Sequence, residues 1–92
     1  KAVGMDCIYD QENGLLTFEA KNRIEKGTMV ELITPEGIQS VKIESLINRK
    51  GKIVDVGHGG AGRYGFPFQN DPGEFAVIRR KLYPAEEELI KT

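Results

Sequence analysis

The chain holds one imidazole and one thiol, the two side chains around which nucleophilic chemistry could be built. His58 follows Asp55 closely, and with Cys7 the pair would supply the base, orienting acid and nucleophile of a thiol hydrolase. Such a thiol must lie beside the imidazole to ionise. Cys7 instead falls within the extended run from Val3 to Tyr9, where a small buried hydrophobe is the ordinary role of a cysteine. A metal site built from Asp55, His58, Asp71 and Glu74 would offer mostly oxygen ligands at irregular spacing, with no second histidine to recruit zinc. The single cysteine also excludes an internal disulfide and a four-cysteine zinc or iron-sulfur site. No serine elbow, glycosidase-like carboxylate pair or nucleotide fingerprint is present. The reading is therefore no catalytic residue, no metal and no cofactor within this chain.

Binding chemistry has better support. The formal net charge is −1, yet its distribution is uneven. Residues 1–47 carry five basic and eight acidic side chains, whereas residues 48–83 carry seven basic and three acidic ones. An excess of that kind attracts phosphates, although it falls short of a dedicated nucleic-acid binder. Val56 to Gly65 contains five glycines. It is not followed by a helix pattern, so it lacks the helix N-terminus of a phosphate loop, and its glycines read as positive φ or close backbone crossings. Arg63 and Tyr64 at its end offer a phosphate contact and a stacking surface for a single-stranded base. Arg49, Lys50, Lys52, Arg63, Tyr64, Arg79 and Arg80 are thus the candidate contact residues. Alternation sends Arg79 and Arg80 to opposite faces, one of them toward a salt bridge with Glu31 or Asp55.

The elements that must position these residues read as strands. Leu16, Phe18 and Ala20 share one face of 14–20, with Leu15, Thr17 and Glu19 on the other. Val3 to Tyr9 precedes it across Asn13-Gly14, a hairpin signal, so these two runs pair antiparallel. Thr28 to Thr34 turns at Pro35-Glu36 and returns as Ile38 to Ile43. Glu44 to Ile47 reads as one helical turn, Lys52 to Val56 as a fifth strand, and Tyr64 to Phe68 and Phe75 to Lys81 as further strands. Pro84 to Ile90, with proline at the first helical position and carboxylates in the first turn, predicts a short C-terminal helix. The fold class is all-β: a small closed or nearly closed antiparallel barrel of six to seven short strands, closure being the simplest way to hide sheet edges.

At 92 residues, 1–92 form one domain, and a two-domain enzyme is excluded. No apolar run approaches the roughly 20 residues that span a bilayer, so no membrane contact is expected. The lone thiol fits a reducing cytoplasm. A start at Lys1 reads as a piece of a longer protein.

Val3-Gly4, Tyr9-Asp10 with Gly14, Phe18-Glu19 with Lys21-Asn22-Arg23, Gly27 with Val30-Glu31, Pro35, and Asp55-Val56 through Phe75-Ala76-Val77-Ile78-Arg79-Arg80 give the chain its recognisable frame. In these residues it resembles the C-terminal domain of the peptidase U-32 (collagenase-like) family. The resemblance implies a small β-barrel appended to a catalytic barrel whose iron-sulfur cysteines lie upstream. It also implies a parent that is a protease or an enzyme hydroxylating RNA or quinone precursors. Asn22, Gly27, Glu31 and Pro35 match the family's turns and strands, which implies structural roles. The glycine-rich segment around His58 is more elaborate than the family pattern. The expected function is a non-catalytic accessory domain that binds or orients a macromolecular substrate, RNA or protein. The alternative is a structural module that docks on the catalytic domain of the parent or mediates dimerisation, with Met29, Ile33 and Leu15 at the interface; an oligomer through the parent is also expected to be open to it.

Overall fold

A computed structural model describes residues 2–73 and 75–81. In chain order its strands are β1 (Ala2–Asp10), β2 (Leu15–Ala20), β3 (Ile24–Glu25), β4 (Met29–Thr34), β5 (Gly37–Lys42), β6 (Leu46–Asn48), β7 (Ile53–Val54), β8 (Val56–Gly57), β9 (Arg63–Pro67) and β10 (Val77–Arg80). Eight form one antiparallel sheet in the order β5-β4-β10-β1-β2-β9-β6-β7, and β3 pairs with β8 in a separate ribbon. The all-β reading holds, and no helix is found among the described residues.

Local chemistry fixes the hairpins. Between β1 and β2 the Asp10 carboxylate accepts from the backbone N–H of Glu12 and Asn13 and, at 2.8 Å, from the Asn13 amide. Gly14 then takes φ +65°, so the turn closes with Asp10 opposite Leu15. Between β4 and β5, Pro35-Glu36 is a two-residue corner with Thr34 opposite Gly37. The paired strands turn one face inward. Leu16, Phe18, Ala20, Val30, Leu32, Phe66 and Ile78 bury that face almost completely, with Ile24, Ile43 and Leu46 across from it. The Phe18 and Phe66 rings meet at 6.0 Å between centroids, tilted by 57°.

β1 departs from simple alternation. Met5 pairs with Glu19 and Ile8 with Thr17, so Asp6 and Cys7 together oppose Phe18, with Asp6 at φ +52°. This bulge turns Cys7 inward and leaves Met5 and Ile8 outside. Gly4 also faces inward, where a Cβ would stand 2.5 Å from Cδ2 of Phe18; the position has no room for a side chain.

Several expectations are corrected. The sheet is not closed: β5 and β7 lie at its two ends, and β7 has two residues, too few to build a ladder back to β5. The six to seven strands become ten because β3 and β6 are added and Lys52 to Val56 divides into β7 and β8 at Asp55. Glu44 to Ile47 makes no helical turn, since Leu46 and Ile47 pair with Val54 and Ile53 in a sheet. The proposed helix over 84–90 lies outside the described residues. The β3–β8 ribbon is tied to the main sheet at Gly27, whose N–H donates to the Ile43 carbonyl at 2.6 Å, while Lys26 N–H donates to Asp55 O at 2.9 Å within the ribbon.

Candidate nucleic-acid interface

The basic residues singled out from sequence are distributed over three places. Arg49, Lys50 and Lys52 occupy the exposed β6–β7 turn, built by the Asn48 side chain, whose Oδ1 accepts from the N–H of Lys50 and Lys52. Arg63 lies on β9 and donates to the Asp6 carbonyl and to Thr17 Oγ1, bracing the β1 bulge. Tyr64, 8 % exposed, is in the core, and its hydroxyl accepts from the backbone N–H of His58. Its ring is therefore not a stacking platform. β10 stands three strand spacings from β9, about 14 Å, so Arg79 and Arg80 do not join Arg63. Arg79 is engaged with Glu31, Nη2 to Oε1 at 2.6 Å and Nε to Oε1 at 3.0 Å, on the outer face.

Arg80, pointing the other way, meets cations from elsewhere in the chain. Its Nη2 donates to the Arg23 carbonyl at 3.1 Å, beside the ribbon strand β3. Arg23, Lys26, Arg80 and Lys81 line a cleft of about 450 Å³ floored by Val3, Ile24 and Val30, and Glu25 is its one carboxylate among the described residues. The neutralisation is loose. Arg23 reaches Glu25, and Lys26 reaches Asp55, only at 3.7 Å with exposed side chains, contacts worth about 1 kcal/mol or less that an anion readily replaces. Lys81 Nζ donates to Ser40 Oγ at 2.7 Å and carries no ion pair among the described residues. The cleft gathers four cations around one carboxylate among the described residues.

Arg23, Lys26 and Lys81 were missed as site residues because the first two belong to the acidic half of the sequence. Only the placement of β10 beside β4, with the β3 ribbon folded over, brings the two halves together. A second cleft, about 710 Å³, opens at the other end of β4 between the Pro35 corner and residues 67–73 and 75; among the described residues Glu36 and Asp71 line it and no cation does.

The groups imagined as catalytic stay apart in character. Cys7 is 5 % exposed, and burial pushes its thiol up to about 11, against a small opposing pull from Arg63. His58 is exposed in the glycine-rich loop, and Asp55 is exposed beside Lys26. Among the described residues no three His, Cys, Asp or Glu side chains gather as a metal would require; Glu74 lies outside them. The glycine-rich segment lies along the end of β2, with Gly60 N–H donating to Ala20 O and Ala20 N–H to Gly62 O. A Cβ on Gly59 would stand 2.6 Å from the Lys21 carbonyl oxygen, so close crossing accounts for that glycine. Of the apolar interface candidates, Leu15 and Ile33 are half-buried, and Met29 is exposed at the rim of the basic cleft. Among the described residues no helix is long and apolar enough to cross a membrane.

Residues 2–79 match the model of the peptidase family U32 C-terminal domain. The tRNA hydroxylation protein P of Haemophilus influenzae is 35 % identical over 75 residues, covering 77 % of this chain and 16 % of that protein. The chain thus spans about a sixth of that relative. Two crystal structures share the fold, both of the C-terminal domain of a Geobacillus thermoleovorans protein assigned to the U32 peptidases. The selenomethionine variant superposes with TM-score 0.77 at 22 % identity, covering 87 % of this chain and 99 % of that one. The other gives 0.72 at 20 % identity, covering 86 % and 93 %.

Proposed function

Because the chain belongs to the peptidase family U32 C-terminal domain family, we propose that it is the non-catalytic accessory domain of a longer cytoplasmic enzyme and helps that enzyme hold RNA. The observation that carries this reading is the convergence of Arg23, Lys26, Arg80 and Lys81 on one cleft with a single lining carboxylate among the described residues. The name of the Haemophilus relative, a tRNA hydroxylation protein, makes tRNA the first RNA to try and hydroxylation, ahead of proteolysis, the first activity to assay in the parent. Arg49, Lys50 and Lys52 form a separate basic turn between β6 and β7, available to a substrate as long as tRNA. The chain itself supplies charge and position; the bond-making groups belong to the rest of the parent.

Titration of the domain with tRNA over a salt series tests this. Four phosphate contacts predict affinity that falls by one to two orders of magnitude between about 50 and about 200 mM salt. Replacing Arg23 and Arg80 by alanine should weaken binding and flatten the salt slope by about two, while Arg79→Ala should leave the slope unchanged. Equal loss from Arg79→Ala, or no binding at low salt, would defeat the RNA reading.

A second reading, a module that docks on the parent's catalytic portion, is favoured by one observation. On the outer face Ile38 pairs with Ile33 and Ile33 with Val77, and the strand beyond, β1, carries Met5, giving an apolar surface with Ile38 59 % and Met5 41 % exposed. Removal of the domain would then lower the melting temperature of the parent without altering its RNA affinity.

A further inference from the structure

The open sheet leaves two edges, and they are unequal. β7 offers two residues, whereas β5 offers six, Gly37 to Lys42, with no strand beyond it among the described residues. The β4–β5 ladder continues into Ile43, whose N–H donates to Thr28 O at 3.0 Å. In an antiparallel ladder the bonded pairs alternate. The register therefore gives bonds to the Val41, Gln39 and Gly37 pairs and turns the N–H and C=O of Ile38, Ser40 and Lys42 away from β4. That is a row of directed donors and acceptors at strand spacing.

Both faces beside this edge are shaped for side chains. On the outer face Ile38 ends the apolar surface described above, so an added strand would place its outward residues as the next members of that surface. On the inner face Gln39 belongs to the second cleft, with Pro35, Glu36, Phe68, Asp71 and Phe75. Phe75 is 71 % exposed. Asp71 is held in place by accepting from Gly73 N–H at 2.9 Å. With two carboxylates and no cation among the described residues, this cleft repels a polyanion and suits a basic side chain whose aliphatic stem lies along the aromatic and proline surface. Charge complementarity thus separates it from the basic cleft at the other end of β4.

We propose that the β5 edge receives an extended polypeptide segment by strand addition, with apolar residues at alternate positions on the outer face and a lysine or arginine entering the Glu36–Asp71 cleft. This binding is distinct from RNA capture and uses none of its four cations in the basic cleft.

The probe is the peptide acetyl-Val-Thr-Val-Lys-Val-Thr-amide, titrated into the 15N-labelled chain while amide exchange is followed. Slowed exchange at Ile38, Ser40 and Lys42 is expected. The same peptide N-methylated at its valines loses the N–H groups that would face β5, and its affinity should drop about tenfold or more. Ile38→Pro, which removes an N–H that β4 does not use, should cause a similar loss with the far-UV spectrum retained. The N-methylated arm needs no variant, so a misfolded Ile38→Pro would not decide the matter. Equal binding of the methylated peptide, protection of the same amides by tRNA, or dimerisation of the chain through β5 would each overturn the proposal.

Discussion

Gly4 shows how a single atom of difference decides a site. Its neighbours Val3 and Cys7 are buried, and the Phe18 ring lies across its Cα, so Gly4→Ala forces a fully buried ring to move. The substitution should destabilise the chain by about 1–3 kcal/mol in urea denaturation, outweighing the smaller gain from stiffening the unfolded chain. Cys7 gives a pH signature. Its thiol is raised from 9.0 to about 11 in the folded state, chiefly by desolvation, so folding favours the protonated form. The resulting stability is fully present below pH 9.0 and is lost as pH rises through about 11. Thermal melts across that window should fall for the native chain and flatten in Cys7→Ala, and a disulfide reagent at neutral pH should modify the thiol slowly. The Glu19 carboxylate, held below its usual range by the Lys21 ammonium, works in the opposite direction, its contribution fading in acid. The burial of Cys7 could be read from the sequence. The bulge that turns it inward could not, because Asp6 at positive φ depends on a register that only pairing with β2 sets.

At the scale of elements, alternation and turn chemistry located β1, β2, β4, β5, β9 and β10 to within a few residues. Each of those strands is long enough, or turns at a strong enough signal, for its pattern to declare itself. Ile53–Val54 falls within the expected Lys52 to Val56 run, but the other two two-residue strands escaped as separate elements. Ile24–Glu25 and Val56–Gly57 have no period to detect and exist as strands because each finds the other. Leu46 was misread for a similar reason: three residues after Glu44-Ser45 fit a helical turn as well as a strand until Val54 and Tyr64 supply partners on either side. The site follows the same rule. Arg80 and Arg79 were correctly sent to opposite faces by the period of two, but their partners, Glu31 for one and the Arg23 carbonyl for the other, come from 48 and 57 residues away. Glu31 was one of the two carboxylates proposed as the salt-bridge partner. Tyr64 was taken for a surface aromatic because a glycine-rich loop precedes it, yet its strand alternates with Phe66 into the core.

At the scale of the molecule, the order β4-β10-β1 means that the last described strand completes the middle of the sheet. β10 contacts β4 through Val77 to Arg80 and β1 through Ile78 and Arg79. Without it the β4–β5 hairpin has no ladder to the remaining strands of the main sheet. A chain ending at Ala76 should therefore lose cooperative unfolding altogether rather than a fraction of its stability, which a urea titration followed by far-UV circular dichroism would reveal. During vectorial synthesis on the ribosome, the two halves must wait with raw flanks until their keystone emerges, so nascent chains stalled before residue 77 are the ones a chaperone would be needed to shelter.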